Sequence, residues 1–134
     1  MGSRIVITTH SKNVAKITAT NTWYPLKGLP NEKAWSLFVK MAFECGQEPK
    51  NNRISKIGKK IVEKCDGLPL AIRTIGSLLY GKTYENEWQF FLDGELSKLT
   101  QQEHKISSTL KLSYDHLPSH LKQCFAYCRL FPKD

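Results

Sequence analysis

Eight residues, Gly76-Ser77-Leu78-Leu79-Tyr80-Gly81-Lys82-Thr83, fit the phosphate-loop spacing G-x-x-x-x-G-K-[ST] letter for letter. In that chemistry small residues let backbone N–H groups wrap a phosphate while the lysine supplies positive charge. Here the interior holds Leu78 and Leu79, which continue the helical spacing of Ile72 and Ile75. No later apolar strand ends in Asp to hold magnesium. Gly81 reads better as the residue that closes a helix. A second constellation, His116, His120, Cys124 and Cys128, recurs every four residues in the manner of a zinc face. Pro118 interrupts it, and ligands at i, i+4 and i+8 of one helix stretch along a line of roughly 12 Å, which cannot wrap a tetrahedral ion. Both cysteines read instead as buried packing. No Ser/His/Asp or Cys/His arrangement has a spacing that stands out.

More is carried by Cys65-Asp66-Gly67-Leu68-Pro69-Leu70-Ala71-Ile72. An amphipathic run (54–62) precedes it, and the run from Leu68 to Leu79 is apolar nearly all round. Gly67 can adopt the left-handed conformation that ends one helix, and Pro69 suits the first turn of the next. The result is a fixed corner, with a rigid ring at a helix start and free backbone N–H groups beside it. Such a corner can face a flat, anion-bearing ligand, or it can be a plain helix–helix turn.

The elements that must hold this corner are mostly helical. Arg4-Ile5-Val6-Ile7-Thr8-Thr9 predicts a short buried parallel strand with polar residues at its carboxyl edge. Ser11 caps a helix over Lys12–Thr18. Trp23-Tyr24-Pro25-Leu26 predicts a second strand, and Gly28-Leu29-Pro30-Asn31 the turn out of it. From Asn31 the period becomes 3.6, with Asn31 as cap and Ala34, Leu37, Phe38, Met41, Ala42 and Cys45 on one face. A loop over 46–52 leads to helices over Arg53–Cys65, Pro69–Tyr80 and Asn86–Leu99, the last turning Trp88, Phe91, Leu92, Leu96 and Leu99 inward. Short connections make these four a compact bundle. Polar residues 101–105 form the best internal boundary, followed by helices over Ile106–Leu117 and Pro118–Leu130.

Composition agrees with a globular chain. The 134 residues are 40% hydrophobic and 24% charged, ordinary proportions, and no apolar run reaches the ~18–20 residues that a membrane span needs. Val6 stands where an N-terminal acylation signal requires Ser or Thr, and no secretory segment is present. Cys45, Cys65, Cys124 and Cys128 sit in amphipathic segments, as core residues of a reducing compartment do. The net charge of +8 gathers in Lys50, Arg53, Lys56, Lys59, Lys60 and Lys64. These lie opposite Ile54, Ile57, Ile61 and Val62, as a solvated helix face would, with no interleaved aromatics for base stacking. A nucleic-acid partner is therefore not expected. A basic helical protein- or nucleic-acid-interaction module without nucleotide binding is the alternative reading.

The octet around Pro69 resembles the "GLPL" motif of the NB-ARC nucleotide-binding switch in plant NLR (NBS-LRR) disease-resistance proteins. Three further blocks stand in the same order: Gly2-Ser3-Arg4-Ile5-Val6-Ile7-Thr8-Thr9-His10; Tyr24-Pro25-Leu26 through Ala34-Trp35-Ser36-Leu37-Phe38; and Cys124-Phe125-Ala126-Tyr127-Cys128-Arg129-Leu130-Phe131-Pro132-Lys133-Asp134. The last resembles the coiled-coil class of these receptors. The resemblance implies a mostly α fold with a small β remnant. Residues 1–28 would be the end of an α/β P-loop (STAND) nucleotide-binding domain, 29–100 the four-helix ARC1 bundle, and 101–134 a truncated winged-helix start, ARC2. It further implies a fragment cut at both ends, lacking the phosphate loop, the magnesium-binding acid and the MHD histidine, and so no enzyme.

The implied function is an ADP/ATP-binding switch in a cytoplasmic immune receptor. Pro69 packs on adenine, Leu68 and Leu70 shape the apolar wall, His10 faces the phosphate end and Leu26 contributes from the strand before the bundle. Where the family usually carries Thr-Thr-Arg this chain has Thr8-Thr9-His10, and an imidazole lacks the permanent charge and forked donors of a guanidinium. Magnesium belongs to the intact domain only. The implied partners are nucleotide, the remaining NB-ARC and leucine-rich-repeat parts, and further copies of the receptor on activation.

Overall fold

The computed structural model describes residues 5–18, 23–96 and 105–131. Its regular elements are helices: α1 (Lys12–Thr18), α2 (Asn31–Ala42), a 3-10 turn (Glu44–Gly46), α3 (Asn52–Lys64), α4 (Pro69–Leu79), α5 (Glu85–Phe90) running on into a π turn (Phe91–Glu95), α6 (Lys105–Asp115) and α7 (Ser119–Cys128). Arg4, Leu99, the boundary residues 101–104 and Pro132-Lys133-Asp134 lie outside the described residues.

Helix starts follow from local chemistry. The Asn51 Oδ1 accepts the Arg53 N–H at 2.9 Å and caps α3. Ser11 Oγ accepts the Val14 N–H at 3.4 Å ahead of α1. Asn31 does not cap α2, because the helix begins one residue earlier than its side chain could serve. Pro30 holds the cap position with ψ of 149°, and its fixed φ presets the entry.

The core lies among α2, α3, α4 and α5. α2 packs most extensively on α4 and also against α3. Phe38, Ile61, Ile72, Ile75, Leu79, Trp88 and Leu96 are almost wholly enclosed, each worth about 1.5–3 kcal/mol of transfer free energy for a side chain of this size. Trp88 organises the aromatic part. It stacks on Phe43 with centroids 5.2 Å apart, meets Phe38 edge-on at 6.0 Å, and donates Nε1–H to the Lys82 carbonyl at 3.0 Å. α2 and α4 approach closely at Gly76, where an added Cβ would stand 2.6 Å from Met41 Cβ. α6 packs on α4 and adds Leu112 to the same core.

Three further expectations fail. Residues 5–9 are irregular and open to solvent, with Ile5 84% and Val6 89% exposed. Residues 23–26 are also irregular, with Leu26 91% exposed. A strand exists by pairing its N–H and C=O groups with a neighbour, and none of the described residues forms a strand to pair with. The third failure is at Cys124 and Cys128, which are exposed rather than buried. α7 has the apolar pattern of a core helix, yet none of its residues is buried. It meets α6 through Phe125, whose ring lies 5.3 Å from that of Tyr114, and through Lys122, which donates to the Asp115 carbonyl at 2.8 Å and lies over the Tyr114 ring. Cys65 is buried as expected.

Candidate functional site

The corner between α3 and α4 is built almost wholly from backbone. α3 ends with the Cys65 N–H shared between the Ile61 and Val62 carbonyls at 3.2 and 3.1 Å. Asp66 and Gly67 then both take the left-handed conformation, at φ of 53° and 68°. Aspartate is one of the few side-chain-bearing residues that tolerates this region. The Leu68 N–H returns to the Cys65 carbonyl at 3.0 Å, and the Ile72 N–H to the Leu68 carbonyl at 3.1 Å, so the chain turns sharply into α4 with Pro69 in the first turn. No side chain caps this start. The Leu70 and Ala71 N–H groups therefore have no intrahelical carbonyl to pair with.

A second segment crosses the corner at contact distance. The Leu29 N–H donates to the Gly67 carbonyl at 2.8 Å. An added Cβ on Gly67 would stand 2.6 Å from the Leu29 carbonyl oxygen, and one on Gly28 would stand 2.9 Å from that of Asp66. Both glycines are thus required by proximity, and Gly67 also by its φ. Gly28, Leu29 and Asp66 are not among the residues that the sequence singles out for the site. A signal for them exists nonetheless: Gly28-Leu29-Pro30 and Gly67-Leu68-Pro69 are the same triplet, each opening a helix.

The five candidate residues fall into separate places. Leu68 is half-buried and lines a depression of about 10 Å³ with Lys64, Cys65, Ala71, Ile75, Leu96 and Thr109. It packs inward on the core. Pro69 and Leu70 (41% exposed) face solvent. Leu26, three residues before the crossing, is exposed, as is His10 at a bend ahead of α1. Pro69, Leu70, Leu26 and His10 line neither this depression nor a cavity of about 550 Å³ at the far end of α4, among Leu78, Lys82, Glu87, Phe90, Phe91 and His116.

The phosphate-loop lookalike is a helix end. Gly76 to Leu79 belong to α4, Gly81 takes φ of 76° just past it, and Lys82 Nζ pairs with Glu87 at 3.1 Å. A loop cradling phosphate would not be helical over its first half. No group of three or more metal-binding side chains gathers among the described residues, and no described helix is long and apolar enough to cross a membrane. On the basic face of α3, Arg53 pairs with Glu85 at 3.3 Å, Lys59 lies over the Trp35 ring at 5.4 Å and Lys64 donates to the Leu92 carbonyl at 3.3 Å.

No protein-family model matches the chain. Whole proteins do match it over nearly its full length. The chain is 44% identical over 133 residues to putative disease resistance protein RGA1 of Solanum bulbocastanum, covering 99% of this chain and 14% of that protein. It is 41% identical to putative disease resistance RPP13-like protein 1 of Arabidopsis thaliana, covering 98% of this chain and 12% of the relative. Disease resistance protein RPM1 of Arabidopsis thaliana is 39% identical over 138 residues, covering 98% and 15%. Its homologues are plant disease resistance proteins. The chain spans about one seventh of the length of the disease resistance proteins it matches.

Proposed function

We propose that this chain is the nucleotide-facing segment of an ADP/ATP-dependent switch in a cytoplasmic plant immune receptor. The observation that carries the reading is the corner itself: two left-handed residues and a crossing backbone fix Pro69 and Leu70 as an exposed apolar ledge beside uncapped N–H groups. A purine can lie on such a ledge while the amides and the α4 dipole favour its phosphates. In this reading Pro69 and Leu70 form the adenine wall, Leu68 supports it from beneath, Leu26 approaches along the crossing segment and His10 faces the phosphate end. The exposed β-branched residues 5–7 pair with a sheet supplied by the rest of the receptor.

The segment binds rather than turns over nucleotide; magnesium, the leucine-rich repeats and a second receptor copy act on the intact protein. ADP holds the receptor closed, and its exchange for ATP shifts the population towards an open, oligomerising form, to the extent that the two nucleotides bind those forms differently. On its own the chain binds ADP with a Kd near or weaker than ~1 mM, at most about 4 kcal/mol. The test is an amide NMR titration of the 134-residue chain with ADP to ~10 mM. Shifts confined to Leu26–Leu29 and Leu70–Ile72, and diminished in Pro69→Ala, support the reading. Shifts centred on Lys82 and Phe90, or ADP binding tighter than ~10 μM, overturn it.

A further inference from the structure

The cavity of about 550 Å³ at the far end of α4 has the size usual for a small-molecule site, roughly 300–1,000 Å³. Four parts of this chain wall it: the end of α4, α5, the π turn and the joint between α6 and α7. A π turn in a helix recurs at functional sites. Leu78, Phe90 and Phe91 supply the apolar surface, and the polar atoms beside them are mostly acceptors. Glu87 and Glu95 are carboxylates. His116 Nδ1 lies 3.0 Å from the Leu112 carbonyl; a carbonyl only accepts, so Nδ1 carries the ring proton and Nε2 keeps a lone pair. The Asn86 amide can donate or accept. Lys82 brings an ammonium to the wall, but it pairs with Glu87 at 3.1 Å. Lys111 of α6, within electrostatic reach of Glu95, pairs with Asp115 at 2.8 Å. Two carboxylates against one ammonium leave the wall acidic in a chain whose net charge is +8.

We propose that this cavity binds a small primary amine carrying an aromatic body. The ammonium donates to Glu95, and its three N–H groups match a wall that accepts more than it donates. The aromatic body packs on Phe90 and Phe91. Phe90 leaves most of its ring in water in the free chain, at 75% exposed, so the ligand gives it cover. An anion of the same shape would meet Glu95 and find only the Lys82 ammonium, which Glu87 already holds. The cavity lies at the opposite end of α4 from Pro69 and does not depend on the nucleotide reading.

The experiment is an amide NMR titration of the full chain in neutral buffer with 2-phenylethylamine, 2-phenylethanol and 3-phenylpropanoate. These carry one phenyl body with a positive, neutral or negative end. The amine should give saturable shifts over Lys82–Phe91 and around His116. It should bind at least about tenfold tighter than the alcohol, the least that a hydrogen bond to a charged group supplies, and the anion should give no shifts. Glu95→Gln should bring the amine down to the affinity of the alcohol and leave the alcohol unchanged. Phe90→Ala, at an exposed ring, should weaken amine and alcohol alike by roughly two- to tenfold and keep the preference for the amine. Far-UV circular dichroism should be unchanged in both variants. Equal binding of amine and alcohol, preference for the anion, shifts centred elsewhere, no saturable shift with the amine, or wild-type affinity for the amine in either variant would overturn the assignment.

Discussion

Replacing Gly67 by alanine tests the corner most directly, because two separable effects meet there. An L-residue in the left-handed region costs roughly 1–2 kcal/mol. Gly81 supplies the control: its φ of 76° is similar to the 68° of Gly67, but an added Cβ there meets nothing within 4 Å. Gly81→Ala should therefore cost only the conformational part. At Gly67 the same Cβ would stand 2.6 and 2.8 Å from the Leu29 carbonyl oxygen and nitrogen, both backbone atoms that cannot rotate away. The crossing segment must retreat, and the 2.8 Å Leu29–Gly67 hydrogen bond goes with it, a further loss of about 0.5–1.5 kcal/mol. Repacking the displaced strip adds about 1 kcal/mol or more. Gly67→Ala should cost about 3–4 kcal/mol in all, at least ~1.5 kcal/mol beyond Gly81→Ala, which is about tenfold in the unfolding constant. The reduced entropy of the unfolded chain affects both variants alike and cancels in the comparison. Urea denaturation followed by far-UV circular dichroism reads both values. If Gly67→Ala is no more destabilising than Gly81→Ala, the close crossing does not hold in solution.

Trp88→Ala should destabilise the bundle by roughly 3–5 kcal/mol, the usual range for a fully enclosed aromatic; its ring stacks on Phe43 and its indole N–H is hydrogen-bonded. Urea melts of the variant check this, and a loss under 1 kcal/mol would place the core elsewhere. Glu85 gives a pH signature. The hydrogen bond from the Asn51 side-chain amide, with Arg53 adding to it, outweighs the opposing desolvation and holds its carboxyl below the ordinary value. The folded value is depressed, so its stabilisation is fully present above the ordinary carboxylate range and is lost as pH falls through the lowered one. The difference in urea midpoint between wild type and Glu85→Gln should shrink as the buffer is taken from pH 7 towards pH 3; a constant or growing gap would contradict the pairing.

Most of the helical framework is legible in the sequence, because it is written in short-range terms. The α3 stripe of Ile54, Ile57, Ile61 and Val62, the cap at Ser11 and the stop at Gly81 are each fixed by residues within two turns. The expected strands depend on a neighbour that a one-dimensional pattern cannot supply, so Ile5–Thr9 carries strand composition without strand structure. α7 shows a related ambiguity. Its spacing of Leu121, Cys124, Phe125 and Cys128 describes a helix with an apolar side, but whether that side is covered depends on what lies against it. At the corner the sequence identifies Gly67 and Pro69 but not their contact with Gly28 and Leu29, nearly forty residues away. Nor does it separate Leu68, which turns inward, from Leu70, which turns outward, since both lie in one apolar run.

The meeting of the two Gly-Leu-Pro triplets has a mechanical consequence. Each triplet launches a helix, α2 from one and α4 from the other, and those two helices form the most extensive packed pair in the bundle. Tying the launch points by a main-chain bond leaves the pair no freedom to splay at that end. Tension on the residues ahead of Leu29 is then delivered to the base of α4 as a rigid push, through a joint with no side chain to yield. Under the switch function proposed above, this joint is a short, stiff lever between the corner at Pro69 and the helices packed behind it.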